Sequence, residues 1–335
     1  MTTRHSPIRV LFLGCGLATR IHSRVLGNMP GIELTYASRD ATRAEAFRVE
    51  FGGVAAWDSY AKGLSDPDVQ VAVVATPTST HLDLVLMALE SARHVIVEKP
   101  AFLTADDVDQ VRAAATSAGR QVFVAENYVY KPIARLLRDT IVSGELGDVR
   151  FVMLHAAKWQ PASGWRADPS LSGGGALFEA GVHWIALAAH LGLDLEEVHG
   201  YRAGPRHGAD LSSLTVFRYH GGAVGTLAHS WELRAPFGGA RCSRVQGTRG
   251  SISFESNGFA SISTGARRRM RLHLRDTMGY QAMHSDFLRV IRHGGEPWYT
   301  MDKAQQDLRW LESAHAADGT ALASQLPSRL SVWSS

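Results

Sequence analysis

The chain has 335 residues, of which 45% are hydrophobic and 20% charged, with a formal net charge of +3. That length is enough for two hydrophobic cores. A charge so close to balance gives no support for nucleic acid or an anionic membrane as the main partner. Two cysteines, Cys15 and Cys242, are too few for a disulfide framework or a cysteine-based metal site, and no metal is expected. No run approaches the ~20 uninterrupted apolar residues of a membrane helix. The longest candidate, Ala176 to Leu191, is broken by Glu179, His183 and His190. The apolar run Ile8 to Leu13 is too short for a secretion signal and leads straight into a glycine turn. The expectation is a cytoplasmic protein with neither a membrane nor a nucleic acid partner.

Up to Asn127, apolar strand-like runs alternate with helical patterns. Arg9 to Leu13 reads as a buried strand, followed by a helix from about Leu17. Ile32 to Ala37 is a second strand and Ala41 to Phe51 a second helix. Val69 to Ala75 is a third strand, nearly continuous and rich in valine, as expected where both sheet faces are covered. Thr80 to Ser91 (helix), His94 to Val97 (strand), Ala105 to Ala118 (helix) and Gln121 to Ala125 (strand) continue the alternation. Such alternation with short connections predicts a parallel, doubly wound sheet.

The pattern then changes. Pro132 to Val142 reads as a helix, Val149 to Ala156 as an alternating strand, and one long helix is expected from about Gly175 to Leu191. Strand-like runs follow at Leu214 to Tyr219, Ala223 to His229, Arg244 to Gln246, Ser251 to Phe254, Ala260 to Ser263 and Met270 to Leu274. Gly221-Gly222 and the stretch from Gly247 to Gly250 supply turns between them. This predicts an open, mainly antiparallel sheet with helices on one face. Two helices close the chain. In the first, Tyr280, Met283, Phe287 and Val290 recur at helical spacing before Gly294-Gly295 ends it.

Gly14-Cys15-Gly16-Leu17-Ala18-Thr19 lies between the first strand and the first helix. The first glycine permits the tight turn, and the second lets the backbone approach a pyrophosphate at the positive end of the helix. Gly14, Gly16, Leu17 and Ala18 are the candidate pyrophosphate contacts. The third position of this pattern is usually Gly or Ala, and Thr19 departs from it. A turn without ligand is the alternative, but its place inside a βαβ unit favours a dinucleotide. The second strand ends Tyr36-Ala37-Ser38-Arg39-Asp40. An NAD site usually has Asp or Glu here for the ribose 2′-hydroxyl. Ser38 followed by Arg39 suits a 2′-phosphate instead, so NADP is favoured and NAD remains possible. Asp40 either caps the next helix or, with a shifted register, binds a ribose hydroxyl. The expected architecture is α/β plus α+β, with a doubly wound Rossmann domain over residues 1–127. Residues 128–335 are expected to form a domain for substrate binding and oligomerisation.

Four further stretches are distinctive: Val74-Ala75-Thr76-Pro77 with His81; Glu98-Lys99-Pro100; Glu126-Asn127-Tyr128; and Gly173-Gly174-Gly175 with Glu179-Ala180-Gly181-Val182-His183. With the glycine turn, they resemble the glucose–fructose oxidoreductase and inositol dehydrogenase family, often called Gfo/Idh/MocA. The resemblance implies hydride transfer between a nicotinamide dinucleotide and a hydroxyl or ketone carbon of a sugar-like small molecule. It implies that Thr76, Pro77 and His81 lie along the cofactor and that Glu98 and Asn127 serve its nicotinamide half. Lys99 would be the active-site lysine and His183 the acid/base histidine. Glu179 stands where the family usually has Asp. Tyr128, Trp165 and Arg166 would line the substrate pocket, and a homodimer or homotetramer is implied.

The chemistry accounts for these residue types. Moving a hydride to a ketone carbon requires a proton for the oxygen, and that oxygen becomes alkoxide-like in the transition state. Lys99 offers charge and a donor, and His183 titrates near neutral pH. Glu179 and His183 are four residues apart, so on a helix they share a face and can pair. Two divisions of labour remain open: His183 transfers the proton while Lys99 polarises the oxygen, or Lys99 is the acid. Bland alternatives stand beside these. A lone helical histidine is more often structural, and a lysine before proline is more often solvated. Arg267, Arg268, Arg269 and Arg271 read as the solvent face of a strand with Met270, Leu272 and Leu274 opposite, or as a site for a phosphorylated substrate. Trp159, Trp184 and Trp231 could stack on a sugar or simply pack. Two other functional readings are redox-neutral sugar chemistry on a retained cofactor, and a non-catalytic dinucleotide-binding regulator.

Overall fold

The computed structural model describes residues 6–161, 163–205, 209–234, 241–265 and 268–316. The chain folds as two compact units, one reaching Asn127 and joined by Tyr280–Gln305, the other made of Tyr128–Gly279 with the residues from Gln306 onward.

The first unit runs β1 (Ile8–Leu13), α1 (Leu17–Leu26), β2 (Ile32–Ala37), α2 (Ala41–Phe51), β3 (Ala55–Trp57), α3 (Tyr60–Leu64) and β4 (Val69–Val74). It continues with α4 (His81–Glu90), β5 (His94–Val97), α5 (Asp107–Ala118) and β6 (Val122–Val124). The sheet order is β3-β2-β1-β4-β5-β6 and every pair is parallel. Leu11 to Leu13 and Val71 to Val74 are fully buried, which is why these strands read as unbroken apolar runs. The strand order reverses between β1 and β4, and ligands of such sheets bind in the crevice beyond the carboxyl ends at that point. Two elements, β3 and α3, were not expected from the sequence. Ala55-Ala56-Trp57 is a half-buried, three-residue edge strand, too short to establish a period.

The second unit contains α6 (Pro132–Val142), β7 (Val149–Ala157), the short α7 (Pro169–Ser172), α8 (Val182–Ala189), β8 (Leu195–Ala203), β9 (Ser212–Tyr219) and β10 (Val224–Ser230). After β10 come β11 (Cys242–Gly247), β12 (Ser251–Glu255), β13 (Ala260–Thr264) and β14 (Arg269–Leu272). Among the described residues these strands form one sheet in the order β14-β13-β12-β11-β7-β10-β9-β8. Every pair is antiparallel except β7 with β10. Val152, Leu154, Phe217, Leu227, Val245 and Ile252 are buried on one face. Phe151, Met153, Leu214 and Val224 are exposed on the other, where Val224 sits beside Phe151 across the parallel β7–β10 pair.

Three sequence expectations change here. β8 was missed because it is a charged edge strand, Leu-Glu-Glu-Val-His-Gly-Tyr-Arg-Ala, in which Val198 and Gly200 are the buried positions. In β14 Met270 and Leu272 are exposed and do not face a core opposite the arginines; among the described residues this strand is an edge of the sheet. Arg267 lies outside the described residues. Finally, α9 (Tyr280–His293), which precedes α10 (Met301–Ala316), belongs to the first unit rather than to a domain spanning 128–335. Its apolar stripe explains this: Phe287 is fully buried and stacks on Phe123 of β6, with ring centroids 4.8 Å apart.

Candidate functional site

Gly14 and Gly16 are glycines for different reasons. Gly14 has φ +101°, and a Cβ there would lie 2.8 Å from the Ala75 carbonyl oxygen, so the protein itself demands glycine. Gly16 has an ordinary φ of −117°, and a Cβ there would meet no protein atom within 4 Å. Its open side borders the start of α1, where the first N–H groups lack intrahelical partners. This cradle fits a dinucleotide pyrophosphate, with Gly16, Leu17 and Ala18 supplying the approach. Thr19, the departure from the usual pattern, is fully buried. Its hydroxyl donates to the Gly14 carbonyl at 2.7 Å and accepts from the Gly16 N–H at 3.4 Å, bracing the turn from within. Cys15 lies in the same turn, and burial pushes its thiol up to about 11, so it stays protonated at neutral pH.

At the end of β2 the Asp40 carboxylate accepts from the Arg43 N–H at 3.2 Å and caps α2. Ser38 is buried, with its hydroxyl accepting from the Asp40 N–H at 3.1 Å. Arg39 lies near the Tyr60 phenol; that phenol is held above its usual range by burial, an effect Arg39 opposes.

Beyond β4, the Thr76 and Thr80 hydroxyls share a hydrogen bond of 2.7 Å, and Pro77 starts a turn of 3₁₀ helix. The sequence reading lays His81 along the cofactor, whereas both its ring nitrogens face backbone carbonyls. Nδ1 lies 3.0 Å from the Pro100 and Ala101 oxygens and Nε2 lies 2.9 Å from the Thr76 oxygen. His81 is therefore a fully buried strut between the loops after β4 and β5, and burial holds its imidazole below the usual histidine range. Glu98 and the half-buried Lys99 follow β5, with a cis peptide between Lys99 and Pro100. Glu98 Oε1 lies 2.5 Å from His22 Nε2, and Oε2 accepts from the Lys99 N–H at 3.1 Å. Asn127 is buried just past β6. Sequence reading missed His22. Its signal was position alone, since it shares the buried stripe of α1 with Thr19, Ser23 and Leu26.

In the second unit the long helix expected from Gly175 does not form as one α-helix. Leu177–Gly181 is a π turn and α8 continues from Val182. The four-residue spacing of Glu179 and His183 therefore crosses a π turn, not the simple α-helical face that suggested their pairing. The glycines before it are a docking surface. A Cβ on Gly175 would collide with the side chain and backbone of Asp210, and one on Gly174 with Phe178. Asp210 accepts from the Ala176 N–H through its carbonyl at 2.7 Å and from the Leu177 N–H through Oδ2 at 2.8 Å. Burial alone would raise the Asp210 pKa; His315 at 3.8 Å and the Leu177 N–H outweigh it and hold the carboxyl below its ordinary range.

Glu179 is buried and His183 half-buried. The His183 ring lies flat on Tyr128, with centroids 4.3 Å apart and planes 9° apart. Trp184 meets the same phenol ring edge-on, and the Lys131 ammonium sits 3.9 Å from its centroid. Neither Lys131 nor Asp210 was anticipated. Trp184 and Trp231 are buried packing residues, while Trp159 is exposed beneath the Arg234 guanidinium. Trp165 is half-buried in a short 3₁₀ turn; the side chain of Arg166 lies outside those described.

The comparisons with known proteins agree with this fold. Residues 8–126 match the family model described as an oxidoreductase family with an NAD-binding Rossmann fold, and residues 134–253 match the GFO/IDH/MocA C-terminal domain. The chain is 31% identical to a dTDP-3,4-didehydro-2,6-dideoxy-alpha-D-glucose 3-reductase from Saccharopolyspora spinosa, over 67% of this chain and 69% of that protein. It is 27% identical to a trans-1,2-dihydrobenzene-1,2-diol dehydrogenase from Mus musculus, over 72% and 73% of the two chains. A levoglucosan dehydrogenase solved in complex with NADH has the same fold, with a TM-score of 0.83 at 21% identity, covering 96% of this chain and 98% of that one. With both family models matched in order along the chain and 31% identity to a reductase over 69% of that protein, the chain belongs to the Gfo/Idh/MocA family of oxidoreductases.

Proposed function

We propose that the chain is a reversible NADP-dependent dehydrogenase or ketoreductase acting on a secondary hydroxyl or ketone of a sugar, polyol or sugar derivative. The observation that carries this is the Gly16 cradle at the start of α1, in the same sheet whose carboxyl edge presents Glu98 and Lys99. The sugar-directed names of relatives such as the dTDP-sugar 3-reductase support the substrate class. Bound nicotinamide would supply or accept the hydride. Gly14, Gly16, Leu17 and Ala18 hold the pyrophosphate, Thr76 and Pro77 flank the dinucleotide, and Glu98 and Asn127 serve its nicotinamide half. His81 acts behind them by fixing the two loops.

Lys99 polarises the reacting oxygen, and His183, with Glu179 in support, exchanges its proton. Tyr128, Trp165 and Arg166 contribute to substrate binding. NADP is preferred to NAD because Asp40 is engaged as a helix cap, leaving Ser38 and Arg39 for a 2′-phosphate. The test is consumption of NADPH against a panel of ketosugars with Lys99→Met and His183→Ala, cofactor binding being measured separately. Each change should slow turnover at least ~10²-fold with binding retained. Normal turnover in both variants would refute the assignment. Catalysis without net NADPH consumption would indicate redox-neutral chemistry, and binding without turnover a regulator.

We also infer a homodimer or homotetramer formed through the outer sheet face, supported by the exposed Phe151, Met153, Leu214 and Val224. Phe151→Lys with Val224→Lys should yield monomers in sedimentation velocity. An unchanged assembly would place the interface elsewhere.

A further inference from the structure

We infer that His22, held in turn by His284, is a positioning residue that fixes the Glu98 carboxylate for the nicotinamide half of a bound dinucleotide. This rests on the reading of Glu98 given under the proposed function. All three residues lie in the first unit: His22 on α1, His284 on α9 and Glu98 just after β5. Both histidines are fully buried and Glu98 nearly so. His22 Nε2 is 2.5 Å from Glu98 Oε1, and His22 Nδ1 is 2.7 Å from His284 Nε2.

Hydrogen-bond logic fixes the protons. An ionised carboxylate only accepts, so His22 Nε2 carries the hydrogen and donates to Glu98. Neutral His22 then has a bare Nδ1, which accepts from His284 Nε2–H. That leaves His284 Nδ1 as an acceptor, and among the described residues it has no hydrogen-bond partner. The opposite arrangement would bury an N–H donor without an acceptor at the same place, the costlier alternative. Burial holds the His284 imidazole well below the usual histidine range, so it remains the neutral donor this arrangement needs.

Both oxygens of Glu98 are therefore directed. Oε1 is held by α1, the helix whose first turn forms the pyrophosphate cradle, and Oε2 by the backbone N–H of Lys99. Two apolar side chains would join α1 to α9 at least as well, because buried polar pairs seldom outperform apolar ones for stability alone. What the histidines add is orientation of a carboxylate one residue before the lysine. The Tyr280 ring packs against His22 in a T-shaped contact, with centroids 5.5 Å apart.

The test compares a whole dinucleotide with a fragment lacking nicotinamide. NADH and NADPH are titrated by nicotinamide fluorescence, and ADP-ribose and its 2′-phosphate by competition. The proteins are wild type, His22→Leu, His22→Gln, Glu98→Gln and the double variant His22→Leu/Glu98→Gln. His22→Leu and Glu98→Gln should each weaken the better-bound reduced dinucleotide at least about fivefold, with the double variant within about twofold of the weaker single, as residues acting through one another require. His22→Gln, which keeps a donor and an acceptor, should stay within about twofold of wild type, and fragment affinity should hold throughout. If His22→Leu does not fold, His284→Phe takes its place in the same cycle.

A fall in fragment affinity parallel to that of the dinucleotide would show that His22 merely holds α1 in place. Additive losses in the double variant would show that it acts apart from Glu98. Either result overturns the inference while leaving the reading of Glu98 intact. An unchanged dinucleotide affinity in Glu98→Gln would instead remove that reading, and the inference with it. Nitrogen NMR of histidine-labelled protein should find His22 and His284 as Nε2–H tautomers; an Nδ1–H tautomer for His22 would contradict the arrangement.

Discussion

Tyr128 and His183 lie ring on ring, 4.3 Å between centroids and 9° between planes, so one face of the imidazole is covered. Stacking of this kind contributes about 0.5–1.5 kcal/mol. If His183 exchanges the proton as proposed, Tyr128→Ala should cost roughly tenfold in kcat by loosening its ring, whereas Tyr128→Phe should cost less than about twofold because the stack survives. Steady-state kinetics of both variants checks this. Equal losses would assign the effect to the hydroxyl.

Glycine substitutions at the two sites should separate ligand binding from stability. Gly16→Ala adds a methyl that meets no protein atom, so stability should fall by no more than about 1 kcal/mol, an ordinary helix-cap effect, while dinucleotide affinity drops at least about tenfold. Gly175→Ala drives a methyl into Asp210 and should cost about 3 kcal/mol or more in urea unfolding. It should also lower turnover, because the segment it distorts carries Glu179 and His183.

Arg39→Ala should weaken NADPH about tenfold, equivalent to about 1.4 kcal/mol, and leave NADH within about twofold, since only the former has a ribose 2′-phosphate to pair. Fluorescence titration of the two cofactors reads the difference directly. A matching loss for NADH would place Arg39 over the adenine instead.

Acid should destabilise the fold partly through His229. Burial pushes its imidazole down to about 4, against the pull of Asp210. In the unfolded chain it titrates near 6.5, so between those values the unfolded state binds more protons and stability falls as the pH drops. The contribution is complete above about pH 6.5 and lost below about pH 4, amounting to about 3 kcal/mol. His229→Gln should flatten the slope of unfolding free energy across that window. A residual slope of the same sign should persist, because burial also lowers His81 and His284.

The parallel sheet was legible because its strands are covered on both faces and its turns are marked by glycine. Val71 to Val74 leave no other reading, and α6 begins and ends at Pro132 and Val142 as periodicity indicates. What escaped the sequence was structure without a period. β3 is three residues long, β8 is a polar edge, and the π turn at Leu177–Gly181 replaces an α-helical turn without changing composition. Among the proposed functional residues, the family motifs pointed to Lys99, Glu98 and His183. The residues that hold them did not stand out, because a buried histidine such as His22, or a loop aspartate such as Asp210, gains meaning only from partners far along the chain.

The internal fastening of the glycine turn by Thr19 has a kinetic corollary. A loop that already has its final shape loses little disorder when a nucleotide arrives, so the encounter need not wait for the backbone to rearrange. Thr19→Ala would free that loop and should therefore slow nucleotide capture, while the spent cofactor leaves at its former rate.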